Sequence, residues 1–317
     1  MEINLLRILI SFLTLAVVAA SHAALTPKDY WNSVLPNTPM PSAVSDLLQP
    51  DHLMDEKPVG VTFSPGPPAG GIDVGIGQQR SSPFLYTYGS SEDQLHDDPN
   101  VALFFLEKDM HPGKRMNLHF MTQDSNTAAT FLPRQVAKSL PFSSSRLPEI
   151  LNKFSLKPES TEANIIKNTI EECEKPGIEG EEKYCATSLE SMVDFSTSKL
   201  GKDVRASSTE VGKETQMQKY YTIVPGVKKM AGNKAVVCHK QNYAYAVFFC
   251  HTTRTTKAYL VPLVGNDGTK AKAVAICHTD TSAWNPKHLA FQVLKVKPGT
   301  VPVCHFLPKD HVVWTSK

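Results

Sequence analysis

This chain has almost no charge imbalance: 33 Lys and Arg against 31 Asp and Glu leave a formal net charge of +2 over 317 residues. Its basic residues are scattered and answered by acids, so nothing resembles the basic stripe that nucleic acid binding demands. Beyond its first 23 residues it has no apolar run long enough to span a bilayer. It has no Asn-x-Ser/Thr sequon, since Asn37-Thr38-Pro39 fails the pattern, and N-glycosylation is not expected. No Ser-His-Asp or paired-carboxylate set can be placed either, because such sites are recognised by geometry. Cysteine is scarce, at six residues, yet four of the six are followed directly by His.

Those four dipeptides, Cys238-His239, Cys250-His251, Cys277-His278 and Cys304-His305, are separated by 10, 25 and 25 residues. Zinc fingers and ribbons space their ligands a few residues apart within a knuckle and do not set Cys directly beside His. Each dipeptide instead closes an apolar run: Ala235-Val236-Val237, Ala246-Val247-Phe248-Phe249, Ala273-Val274-Ala275-Ile276 and Val301-Pro302-Val303. These runs read as strands, in which successive side chains point to opposite faces. A strand that persists through the dipeptide puts sulfur on one face and imidazole on the other.

The amino terminus sets the redox setting. Arg7, an apolar stretch over residues 8–20 and the small-residue site Ser21-His22-Ala23 read as a secretory signal peptide over residues 1–23. The mature chain is therefore expected to be secreted, where an even set of cysteines can oxidise. Six cysteines allow 15 pairings. Cys173 with Cys185 is favoured as a short local loop across Pro176-Gly177, leaving Cys238, Cys250, Cys277 and Cys304 to pair among themselves. The rival is that some of these four stay thiolates on a metal.

Residues 24–100 form a Pro/Gly-rich arm, with Pro65-Gly66-Pro67-Pro68-Ala69-Gly70-Gly71 at its centre, and are expected to add little core. Val101-Ala102-Leu103-Phe104-Phe105-Leu106 reads as a buried strand between turns, with Phe104-Phe105 as core. Helices are expected over 147–157, over 161–175 with Thr161 as cap, over 186–200 ending at Gly201, and over 286–293 capped by Asn285. Asn266-Asp267-Gly268 marks a hairpin turn. The Glu-rich stretch 171–183 reads as a solvated face, His96 as part of a turn with Asp97 and Asp98 or as a member of a metal or polar site, and His111 and His119 as structural residues. The fold class is α+β, helices followed by a mostly antiparallel sheet. On this reading alone the four Cys-His histidines serve equally as satisfied structural groups or as metal ligands.

The ordered set of Phe104 and Phe105, then Cys173 and Cys185, then the four Cys-His dipeptides resembles the signature of the plant BURP-domain proteins, over about residues 103–317. Tyr30-Trp31-Asn32-Ser33-Val34-Leu35-Pro36 resembles the family's post-signal segment. Three stretches resemble the dehydration-responsive subgroup: Phe84-Leu85-Tyr86-Thr87-Tyr88-Gly89 leading into Gln94-Leu95-His96-Asp97-Asp98, Lys240-Gln241-Asn242-Tyr243-Ala244-Tyr245, and Trp284-Asn285-Pro286-Lys287-His288. The glycine-valine repeats of that subgroup are reduced here to one degenerate copy.

The resemblance implies an apoplastic or cell-wall protein of drought, salt and abscisic-acid responses, with wall polysaccharide or a wall protein as partner. Other BURP proteins are copper-dependent cyclases that crosslink Tyr or Trp in a peptide substrate. Carried onto this chain, that resemblance makes His239, His251, His278 and His305 the copper-ligand candidates, imidazole being a suitable copper donor. The arm holds no core-peptide pattern, because Gln78-Gln79-Arg80 meets no aromatic before Phe84.

Overall fold

The computed structural model describes residues 25–48, 104–118, 120, 129–212, 219–230 and 234–317. The expected signal peptide, most of the Pro/Gly-rich arm, His96 and His119 lie outside them. The described helices are α1 (Pro27–Val34), α2 (Ser42–Ser45), α3 (Arg134–Ser139), α4 (Leu147–Lys153), α5 (Thr161–Glu174), α6 (Leu189–Leu200) and α7 (Leu289–Leu294). The strands are β1 (Phe104–Leu106), β2 (Arg115–Leu118), β3 (Glu181–Ala186), β4 (Val204–Ser207), β5 (Glu210–Val211), β6 (Lys219–Ile223), β7 (Lys228–Lys229), β8 (Ala235–Gln241), β9 (Val247–Thr253), β10 (Thr256–Gly265), β11 (Lys270–His278), β12 (Val303–Phe306) and β13 (Val312–Ser316).

These strands build two antiparallel sheets, so the class is α+β as expected. One sheet runs β1-β12-β11-β10-β6-β2, with β5 and β7 paired at its flanks, and the other runs β3-β9-β8-β13-β4. The helices sit between β2 and β4 in sequence, apart from the N-terminal α1 and α2 and the late α7.

Local chemistry accounts for the helices. In α6 the residues Leu189, Met192, Val193 and Ser196 recur at helical spacing and are buried. Ser188 and Ser191 close a capping box at its start, and Gly201 at φ 81° ends it, a backbone shape that costs glycine little. α5 is capped by Ser160, one residue before the expected Thr161, through a 3.1 Å bond from the Ala163 amide. The last helix starts three residues later than expected, at Leu289, because His288 rather than Asn285 accepts from its first turn. The expected hairpin turn is present, with Gly268 at φ 81° between β10 and β11.

Two features depart from the sequence reading. Residues 181–186 form a strand, β3, at the edge of the second sheet. And the start of the arm belongs to the core: Trp31, Leu35, Val44 and Leu47 are buried against the outer face of that sheet beside α6. Trp31 packs on Trp314 with ring centroids 5.2 Å apart, and its indole N–H donates to the Thr38 carbonyl.

A third apolar layer lies between the sheets. Ala235 and Val237 of β8, Val313 of β13, Ala258 of β10, and Val274 and Ile276 of β11 meet there with Met230 and Leu307. Continuing those alternations by two residues along β8 and β11 gives His239 and His278. The same interior that buries the aliphatic residues thus receives the imidazoles at its end.

Candidate metal centre

The Cys-His pairs acquire their meaning from register. Cys238 lies directly opposite Cys250 in the β8–β9 pair, and Cys277 directly opposite Cys304 in the β11–β12 pair. Both facing pairs are disulfide-bonded, with Cα atoms 3.9 and 4.0 Å apart, and Cys173 is bonded to Cys185. Among the described residues no cysteine is free, which overturns the thiolate–metal alternative for the four Cys-His cysteines. Each cross-strand bridge pins its register, since a slip of one residue would carry the sulfur to the wrong face. With the sulfurs on the outer faces, each following His is fixed on the inner face.

The Phe pair obeys the same alternation. Phe105 pairs with Cys304 and packs on Phe306 at 4.7 Å, on the disulfide side. Phe104 pairs with His305 and reaches the imidazole side, its ring 6.1 Å from His305 and 5.6 Å from His288. Both are core residues, as the sequence suggested.

All four Cys-His histidines converge, two from each sheet. Ring centroids lie 5.2 Å apart for His239 and His251, 5.6 Å for His278 and His305, 6.4 Å for His251 and His278, and 6.2 Å for His239 and His305. None is more than 3% exposed. Burial, reinforced by the neighbouring imidazoles, holds His239 and His278 well below the ordinary histidine range, and burial takes His305 down to about 3. Rings held neutral in this way keep a lone pair for a metal.

Their nitrogens are not equally placed. Nε2 of His239 and Nε2 of His251 stand 3.2 Å apart. That spacing is close to the ~3.3 Å between two nitrogens on one tetrahedral ion with ~2.0 Å bonds, and a square-planar Cu(II) ion would draw the same pair in to ~2.8 Å. His251 with His278 and His278 with His305 are stacked ring on ring, and among the described residues no three His, Cys, Asp or Glu side chains form a metal-holding group. The imidazole nitrogens are the donors the cluster could offer a metal, with one pair close together.

Three further residues belong to the cluster without being part of a Cys-His dipeptide. His311, at the end of the loop before β13, has Nδ1 2.9 Å from Nδ1 of His239, and its Nε2 is 3.7 Å from Asp310. His288 caps α7 through Nδ1 and packs against Trp284 at 4.6 Å; its Nε2 is buried without a hydrogen-bond partner, and burial lowers its pKa to about 4. Glu181, inside the stretch expected to be a solvated face, has a side chain only 3% exposed and sits 3.0 Å from Nδ1 of His251. That contact is close but is not an aligned hydrogen bond. The alternation of β3 carried the signal for Glu181: it stands two residues from Lys183, the register partner of His251, and so shares that face. His111 is exposed, bonding only the neighbouring Pro112 carbonyl, and takes no part.

A two-sheet α+β domain, locked by disulfides on its outer faces and filled at one end by imidazoles, is the class of protein defined here. Residues 103–316 match the BURP domain, and the chain belongs to the BURP-domain family. It is 45% identical to BURP domain protein RD22 of Arabidopsis thaliana over 97% of this chain and 98% of that one. It is also 59% identical to BURP domain-containing protein 3 of Oryza sativa subsp. japonica, over 74% of this chain and 55% of that one. With BURP domain-containing protein 5 of the same organism it shares 49% identity over 94% of this chain and 89% of that one. The likeness to RD22 along nearly the whole of both chains fits the dehydration-responsive subgroup. Among the described residues no helix is long and apolar enough to cross a membrane.

Proposed function

We propose that this protein is a secreted, stress-responsive component of the apoplast or cell wall whose four Cys-His histidines hold a copper ion. The observation that carries the reading is the convergence of His239, His251, His278 and His305, all buried, in a cluster where the Nε2 atoms of His239 and His251 stand 3.2 Å apart. A cluster of four buried imidazoles is costly unless something repays the desolvation. Imidazole nitrogen suits copper, and with every cysteine oxidised the donors are nitrogen alone, which favours Cu(II) over Cu(I). Bound copper would supply a redox-active Lewis-acid centre. The likeness to RD22 supports the stress and wall assignment. Wall polysaccharide or a wall protein is the partner proposed with it.

Burial also weighs between this reading and a copper-dependent peptide cyclase. A cyclase must bring the Tyr or Trp of a peptide substrate to the metal, and rings at most 3% exposed offer one little surface. The holding role is therefore preferred. Copper loading of the purified, chelator-stripped protein followed by desalting tests it. The expected result is a stoichiometric Cu(II) signal with nitrogen coordination, lost in His251→Ala or His278→Ala, and no change in the mass of the protein. Absence of retained copper in the wild type would end the copper reading; a mass loss of two hydrogens per crosslink would favour the cyclase. Recovery of the mature chain wholly in the cytosol rather than a wall fraction would end the wall reading.

A further inference from the structure

Resting on the copper reading, we propose that Glu181 and His311 are positioning residues: from outside the Cys-His dipeptides they fix the tautomers of His251 and His239, making the two Nε2 atoms the chelating pair. Metal-bound histidines regularly have their second ring nitrogen engaged by a carboxylate or another polar group, which sets ring orientation and tautomer. Both rings here have such a group behind Nδ1. His251 has the Glu181 carboxylate at 3.0 Å, and His239 has Nδ1 of His311 at 2.9 Å, with Asp310 3.7 Å beyond on the far nitrogen of His311. The result is a continuous file, Glu181, His251, His239, His311, Asp310, that runs from the buried edge of β3 to a part-exposed carboxylate.

One tautomer assignment suits the close contacts of this file in the metal-free protein. The Glu181 carboxylate, an acceptor only, lies 3.0 Å from Nδ1 of His251 and favours the proton there, although the contact is not an aligned hydrogen bond, and Nε2 then offers a lone pair. At 3.2 Å the partner nitrogen must donate, so His239 is protonated at Nε2 and its Nδ1 accepts from Nδ1–H of His311. A metal held by His251 and His239 would take the place of the proton between their Nε2 atoms; His239 would then carry its proton at Nδ1, against Nδ1 of His311, and His311 would carry its own at Nε2, facing Asp310, so that the three rings keep the same number of protons. Without His311 the displaced His239 tautomer loses its acceptor; without the Glu181 carboxylate, His251 is free to turn its protonated nitrogen towards the metal.

Ring nitrogen-15 NMR of the metal-free wild type reads the tautomers directly, independently of copper. Expected are His251 protonated at Nδ1 and His239 at Nε2; His251 protonated at Nε2 would overturn the proposal. Copper titration of Glu181→Gln and His311→Phe is then expected to show affinity lowered about ten- to a hundredfold in each, with the wild-type fold retained by near-ultraviolet circular dichroism. Wild-type affinity in both variants would equally overturn it. If the wild type takes up no copper, the copper reading falls, and the tautomer measurement still decides whether Glu181 and His311 orient the two rings. If one variant misfolds, the other and the wild-type spectrum carry the decision.

Discussion

Mild acid is expected to destabilise this protein far above the pH at which its carboxylates begin to protonate. Burial holds His305 at about 3 and His288 at about 4, against about 6.5 for an unfolded histidine. Between those values the unfolded chain binds protons that the folded chain refuses, so stability is fully present above pH 6.5 and lost as pH falls. At pH 5 each of these two rings is about 1.5 pH units below its unfolded pKa, a loss of about 2 kcal/mol each, or about 4 together. His239 and His278 are lowered in the same direction and add to it. A loss of this size is a large part of the ~5–15 kcal/mol that holds an ordinary domain folded. The assay is urea unfolding of chelator-treated, non-reduced protein at pH 7.5, 6.5, 6.0, 5.5 and 5.0. Between pH 6 and 5 the unfolding free energy should drop by about 2.4 kcal/mol from these two rings, close to the slope of two protons, and by more with His239 and His278. His305→Gln, with no ring to protonate, should flatten that slope by about one proton. A stability that is level or rising from pH 7 to pH 5 would show that the cluster is already charged or hydrated in the folded state, and the neutral-ligand argument would fall with it.

The disulfides and the amino-terminal segment give two further tests. Thiol labelling of denatured, non-reduced, secreted protein should find no free cysteine, and peptide mapping should return Cys173–Cys185, Cys238–Cys250 and Cys277–Cys304; two or more labelled Cys-His cysteines would refute the scaffold. Replacing both Cys173 and Cys185 by Ser should lower stability by about 3 kcal/mol, and the longer Cys277–Cys304 loop by slightly more, on loop entropy. Trp31→Ala removes a fully buried indole and should cost about 3–5 kcal/mol in thermal or denaturant unfolding; an effect under 1 kcal/mol would show that the segment before the domain is not docked on it.

Most of the architecture was legible wherever a local rule governs. The helix of α6 follows from its apolar spacing and terminal glycine, the β10–β11 turn from Asn266-Asp267-Gly268, and the opposite facing of sulfur and imidazole from strand alternation. Boundaries that depend on which neighbouring polar side chain wins a cap shifted, as Ser160 and His288 show. The role of residues 27–48 was hidden because composition averages over the arm, whereas burial is decided by a few positions such as Trp31, Leu35 and Val44. The existence of two sheets with an apolar layer between them was also hidden, since alternation says that a residue faces inward but not what it meets there.

The same distinction explains which part of the site the sequence revealed. The Cys-His dipeptides announce themselves because the two functions they join, pinning register and presenting imidazole, must occupy adjacent residues of one strand. Glu181 has no such constraint. It reaches His251 across the β3–β9 pair from inside a run of acidic residues, and in sequence it is indistinguishable from the exposed Glu182 beside it. Only the parity of β3, set by Lys183 facing His251, separates the carboxylate that turns inward from the one that turns out. His311 is reached through the opposite edge, by the loop that delivers β13 to β8. The dipeptides that would supply the proposed donors can thus be read from a motif, while the groups proposed to orient them arrive from other strands and become visible only through pairing. If Glu181 and His311 act as proposed, substitutions at positions 181 and 311 should change metal affinity while leaving all four Cys-His pairs, and the fold they pin, intact.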